Sequence, residues 1–199
     1  MIHPIEDKSY EILSAQFDFS GYSRPEEAVV KRVIHATADF ELAGSLYFAA
    51  NAISAGAKAI RLQQPVVCDV EMVRAGITTY PTSCFLGKVS PSESGLPTRS
   101  YSAMIMAAES FPKDAVFVVG CAPTALEAII ELSGEDWFEP ALVIGLPVGF
   151  VGASETKERL RSSSLPFITN RGNKGGSPAA SAAFNAIVRL AKEIDDDAK

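Results

Sequence analysis

Histidine is scarce in this 199-residue chain: there are two, His3 and His35. There is a single tryptophan and only three cysteines, Cys68, Cys84 and Cys121, none at metal-ligand spacing from another. A zinc or iron site built from clustered His and Cys is thereby excluded as a first reading, and the cysteines are expected to be small buried apolar residues. Basic residues are in deficit, 18 Lys and Arg against 24 Asp and Glu, for a formal charge of -6. Phosphate-backbone binding draws on Lys and Arg, so this balance argues against a nucleic-acid partner. Long apolar runs are missing too. Stretches such as Ala141 to Pro147 fall far short of a bilayer span. Met1 to Tyr10 carries Glu6, Asp7 and Lys8 where a secretory leader would be apolar, so a cytoplasmic location is expected.

What the chain does have is an ordinary globular composition, 47% hydrophobic and 21% charged. Its length suits a single domain spanning residues 1–199, with Asp195 to Lys199 as a frayed acidic tail. Helical patterns cover Pro4 to Ala15, Pro25 to Ile34 and an alanine-rich run from Glu41 to Lys58 that ends near Gly56. Short unalternating apolar runs then alternate with helical patterns. Pro65 to Cys68 precedes Glu71 to Arg74, and Ala115 to Val119 precedes Pro123 to Leu132. Ala141 to Ile144 precedes Glu155 to Arg161, and Pro166 to Thr169 precedes Ser177 to Glu193. Strands of this kind are buried on both faces. The pattern predicts an α/β layered sandwich, a mostly parallel central sheet flanked by helices. Gly87 to Arg99, rich in Pro, Gly and Ser, reads as a long surface loop.

Three loops place glycine where open α/β sheets bind ligands, beyond the carboxyl ends of strands. They are Gly120 to Leu126, Gly145 to Glu158 and Thr169 to Ala180. Each runs into a helix start, whose free N–H groups favour anions. The third also carries Arg171, Lys174, Gly175 and Gly176, and points to a ligand with several carboxylates or phosphates. None has the spacing of a phosphate-binding or dinucleotide fingerprint.

His35 closes a helical pattern in which Arg32 lies three residues earlier, on the same face. A helix C-terminus favours the imidazolium, and Asp39 follows within a turn. Such a histidine suits general acid–base work. No nucleophile elbow of the form Gly-x-Ser-x-Gly accompanies it.

Six stretches together resemble the precorrin-8X methylmutase family. They are RVIHATADFELA from Arg32, CDVEMVRAGI from Cys68, PTRS from Pro97, APTALEAIIEL from Ala122, PALVIGLPVGFVGASETKERL from Pro140 and NKGGSPAASAAFNAI from Asn173. The resemblance runs from Ser9 to about Leu190. It implies an α/β homodimer that uses no cofactor and isomerises a corrin precursor by moving a methyl group from ring carbon 11 to ring carbon 12. It implies His35 as the catalytic residue, with Arg32 and Ser9 contacting substrate. Arg99, Lys174, Gly175 and Gly176 are the candidate contacts to the carboxylates on the macrocycle's rim. Phe150 and Val151 are read either as cover for its face or as core. Further implications are a corrinoid substrate, metal-free or carrying cobalt, and hand-over to neighbouring enzymes of cobalamin synthesis.

The chain departs from the family pattern at Cys121, Thr156 and Asn173, where Asn, Ser and Arg are usual. The loss of one positive charge at Asn173 and of an amide at Cys121 bears on affinity and leaves His35 untouched. A corrinoid carrier without chemistry and an unrelated anion-binding enzyme remain the alternatives on the loops alone.

Overall fold

The computed structural model describes residues 4–91 and 97–196. Six strands form one sheet: β1 (Leu46–Phe48), β2 (Val66–Cys68), β3 (Ser83–Cys84), β4 (Val116–Val119), β5 (Leu142–Gly145) and β6 (Phe167–Asn170). Their order across the sheet is β1-β6-β5-β4-β2-β3. Every neighbouring pair is parallel except β1 with β6, which is antiparallel. The mostly parallel sheet read from the apolar runs is therefore present.

Nine helices are described: α1 (Pro4–Ser14), α2 (Arg24–Thr37), α3 (Phe40–Gly44), α4 (Ala52–Arg61), α5 (Glu71–Gly76), α6 (Arg99–Ser110), α7 (Pro123–Leu132), α8 (Ala153–Arg161) and α9 (Ser177–Asp196). Strand side chains alternate between two cores. Val66, Cys68, Val116, Val118, Leu142, Ile144 and Ile168 pack with α2, α4, α5 and α9. Val67, Phe117, Val119, Val143 and Phe167 pack with α6, α7 and α8. Each fully buried aliphatic side chain contributes about 1.5–3 kcal/mol, which is why the strands need no polar face.

The run from Glu41 to Lys58 is not one helix. Ser45 closes α3, donating its N–H to Leu42 O at 3.1 Å. Leu46, Tyr47 and Phe48 then extend as β1 against Asn170, Thr169 and Ile168. Asn51, left-handed at φ 65°, turns the chain into α4. The pairing offered by β6 overrides the helical preference of the flanking residues. Gly56 does not end α4 but sits within it, where an added Cβ would lie 2.7 Å from Leu142 Cδ2.

The stretch read as a loop ends at α6, which Thr98 caps by accepting from Tyr101 N at 3.2 Å. Residues 92–96 of that stretch, together with His3, lie outside the described residues. The tail read as frayed is helical through Asp196, and 197–199 lie outside the described residues. Of the cysteines only Cys68 is buried; Cys84 is half-buried and Cys121 exposed, so the apolar-filler reading holds for one of three. No helix among the described residues is long and apolar enough to cross a membrane.

Candidate active site

Helix α2 opens on Ser23, whose N–H donates to the Glu26 carboxylate at 2.8 Å, with Pro25 in its first turn. It ends where Ala38, left-handed at φ 52°, returns its N–H to Ile34 O. His35 thus stands in the last turn. Helix α1 lies against it through residues 6, 9, 10 and 13, the spacing of one helical face. Leu13 is the buried anchor of that face.

Two residues three apart on α1 meet two residues three apart on α2. Ser9 Oγ is 2.8 Å from His35 Nδ1. Glu6 Oε1 accepts from Arg32 Nη1 at 3.0 Å, and also from Tyr10 Oη at 2.6 Å and Arg189 Nη2 at 2.9 Å. Burial alone would raise the Glu6 carboxyl, but these hydrogen bonds and the charges of Arg189 and Arg32 hold it below the usual carboxylate range. The Tyr10 ring meets the imidazole edge-on at 5.7 Å between centroids.

His35 and Ser9 face a cleft of about 620 Å³ walled by Ile5, Ile12, Phe40 and Ala38. Among the described residues Nδ1 has a partner and Nε2 has none. A hydroxyl both donates and accepts, so Ser9 suits either protonation state of the ring. Nε2 is the nitrogen left for a ligand. The cleft therefore offers a proton donor or acceptor against an apolar wall.

At the carboxyl end of the sheet, the loop from Asn170 to Gly176 reaches the same end of α2. Lys174 Nζ donates to both Asp39 oxygens, at 3.1 and 2.8 Å, and to Glu41 at 2.9 Å. Asp39 therefore serves Lys174 and the start of α3, through Leu42 N at 2.9 Å, and not His35. The loop is held from below by Lys157. This side chain is fully buried and donates to Asn170 Oδ1 at 3.0 Å and Lys174 O at 2.7 Å. Burial pushes its ammonium down to about 8. Asn170 Nδ2 also donates to Lys174 O, at 2.9 Å. Gly175 packs so tightly that a Cβ would collide with the carbonyl oxygens of Leu146 and Pro147. Gly176 N–H is spent on Leu146 O at 2.8 Å, so its backbone donor is not free for a substrate.

Other expectations fare differently. The first three N–H groups of the Gly120 loop are not free for an anion. The buried Asp69 carboxylate already takes the N–H groups of Gly120 at 3.1 Å and of Cys121 and Ala122 at 2.8 Å. Arg99 sits in the helical layer on the other face of the sheet, donating to Val89 O at 3.1 Å and Leu86 O at 2.9 Å. Within one chain it is not brought to His35. Phe150 and Val151 are 93% and 89% exposed, which removes the core reading for both.

Sequence reasoning missed Glu6, Tyr10, Arg189, Asp69 and Lys157. The shared face of 6, 9, 10 and 13 on α1 was the available signal for the first two. Arg189 had none, standing 183 residues from Glu6.

The family model for precorrin-8X methylmutase matches residues 4–190. The chain is 43% identical over 197 residues to the cobalt-precorrin-8 methylmutase of Priestia megaterium, covering 94% of this chain and 87% of that one. It is 39% identical over 193 residues to the enzyme of the same name from Methanocaldococcus jannaschii, covering 94% and 90%. A solved precorrin-8X methylmutase from Thermus thermophilus superposes with a TM-score of 0.86 at 36% identity, covering 96% of this chain and 98% of that one. With the α/β fold and near full-length coverage in agreement, the chain belongs to the precorrin-8X methylmutase family, isomerases that transfer a methyl group within one molecule.

Proposed function

We propose that this protein isomerises a corrin precursor, precorrin-8X or its cobalt form, by moving a methyl group from ring carbon 11 to ring carbon 12, with His35 as general acid. The products are hydrogenobyrinate and cobyrinate respectively. The observation that carries the reading is His35 itself, lining an apolar cleft with Nδ1 tied to Ser9 and Nε2 open. Protonated, the imidazolium gives its Nε2 proton toward a ring nitrogen, drawing electron density from the migrating bond. It is left as the neutral ring with Nδ1–H donated to Ser9. Substrate and product are isomers, so the proton returns before the next turnover. Proton transfer of this kind contributes on the order of 10²–10⁴-fold.

The apolar walls suit the face of a conjugated macrocycle, and Ser9, Arg32 and Lys174 suit its polar rim. Among the described residues the backbone N–H groups of Gly172 to Gly175 and Ser177 have no acceptor, a supply of donors for rim carboxylates. Arg99 belongs to this site only in the homodimer that the resemblance implies, entering from a second copy. The exposed Phe150 and Val151 suit either that contact or the macrocycle face. Product passes to a neighbouring enzyme of the same biosynthesis.

The test is an absorbance time course with precorrin-8X and, separately, its cobalt form, ending in mass spectrometry. A changed chromophore at unchanged mass is expected, and the faster form identifies the natural substrate. His35→Ala is expected to bind the macrocycle and leave it unchanged. Binding without conversion by the unaltered protein would make it a carrier and refute the reading.

A further inference from the structure

Arg32 is assigned to a substrate carboxylate, yet it already holds one. Glu6 Oε1 receives Arg32 Nη1, Arg189 Nη2 and Tyr10 Oη, three donors on one oxygen. Two guanidinium groups from different helices, α2 and α9, thus converge on a single carboxylate that α1 supplies. A salt bridge made only to fasten α1 would need one arginine. Two, with a phenol beside them, form a carboxylate receptor in its own right, since planar guanidinium forks match carboxylate geometry.

The receptor has an approach. A cavity of about 160 Å³ beside it is lined by Tyr10, Lys31, Arg32, Arg189 and Glu193. Lys31 is paired with Glu27 at 2.5 Å, which leaves the two arginines, both held by Glu6, as the cations that line it. The Arg32 and Arg189 side chains keep 27% and 38% of their surface in solvent, which leaves them reachable, whereas the Glu6 side chain keeps 13%. Nor does much hold α1 down. Leu13 is its one buried residue, while Ile5 and Ile12 stand exposed.

We propose that Arg32 and Arg189 together form a subsite for a peripheral carboxylate of the substrate, and that Glu6 is the chain's own carboxylate seated there, exchanged for the substrate's on binding. Arg189 is then a further substrate-binding residue, and Glu6 an internal competitor that sets affinity. The exchange conserves ion pairs and charge, because one carboxylate leaves as another arrives. It rests on the corrinoid reading for the identity of the substrate. That the receptor takes carboxylates does not.

Two arms test it. Without any corrinoid, Glu6→Ala is titrated with sodium acetate, using sodium chloride as control and the unaltered protein alongside. Acetate is expected to raise the melting temperature of Glu6→Ala and not that of the unaltered protein. With the corrinoid assay, Glu6→Gln, which keeps the shape without the charge, is expected to lower KM by about three- to tenfold, the gain from removing a competing ion pair. Arg189→Met is expected to raise KM. A KM that rises in Glu6→Gln, or an Arg189→Met KM equal to that of the unaltered protein, would show the cluster to be a strut for α1 and overturn the subsite. So would an acetate response no larger than that to chloride. If the unaltered protein converts no corrinoid but Glu6→Ala still responds to acetate, the reaction reading falls and the carboxylate receptor stands.

Discussion

Ser9 Oγ lies 2.8 Å from His35 Nδ1, and this one contact decides which imidazole nitrogen faces the cleft. Replacing Ser9 with alanine leaves Nδ1 without its partner and the ring free to turn. We expect kcat to fall about tenfold, less than the loss on removing the acid itself. Ser9→Thr, which restores the hydroxyl, should recover most of it. A pH–rate profile that shifts in Ser9→Ala and returns in Ser9→Thr would identify the hydroxyl as the orienting group; matching profiles in all three would remove Ser9 from the mechanism.

Lys157 makes stability depend on pH in the same direction as an acid-sensitive carboxylate, but in the alkaline range. Its ammonium is held at about 8 in the fold against an ordinary 10.5. Between those values the unfolded chain keeps the proton and the folded chain has released it. Stability from this group therefore rises with pH across that window, by up to about 3 kcal/mol. Urea unfolding of the unaltered protein and of Lys157→Met, at steps from pH 7.5 to 10, measures the difference between their slopes. Parallel slopes would mean that the ammonium is solvated.

Gly175 is required by the carbonyl oxygens of Leu146 and Pro147, which leave no room for a Cβ. Gly175→Ala should push the loop away from β5, destabilise the fold by about 1–3 kcal/mol and raise KM through misplacement of Lys174. Chemical denaturation and steady-state kinetics on the same preparation separate the two effects. A normal KM in a destabilised variant would show that the loop does not touch substrate.

Asp69→Ala strips the acceptor from three N–H groups at the start of α7. A cost of about 2–4 kcal/mol is expected, with little change in KM, because those donors serve the fold. A large change in KM at near-normal stability would return the Gly120 loop to the substrate site.

Strands β2, β4, β5 and β6 were readable because each is a mainly apolar run bounded by glycine or proline, as in VFVVG and LVIG, whereas the two-residue β3, Ser83–Cys84, carries no such pattern. His35 and Arg32 were readable because helical spacing alone puts them on one face. Strand β1 was not. LYF lies between helix formers, and only the distant partner at Phe167–Asn170 makes it extended. The Gly120 loop misled for a related reason, since its glycine and helix start look the same whether a ligand or Asp69 fills them. Lys157 stands within a charged helical stretch, and nothing local marks it as the buried member.

The antiparallel strand at the sheet edge has a bearing on synthesis. β1 pairs with β6 alone, Glu6 reaches Arg189, and Asp39 waits for Lys174, so the first quarter of the chain is completed by the last. A ribosome-bound chain carrying residues up to β5 already holds His35 and Ser9 but lacks the strand, the loop and the helix that fix their surroundings. The amino-terminal helices are therefore expected to dock late. Truncated or stalled chains would then expose the apolar faces of α1 and α2 to chaperones, with catalytic competence arriving only when α9 is released.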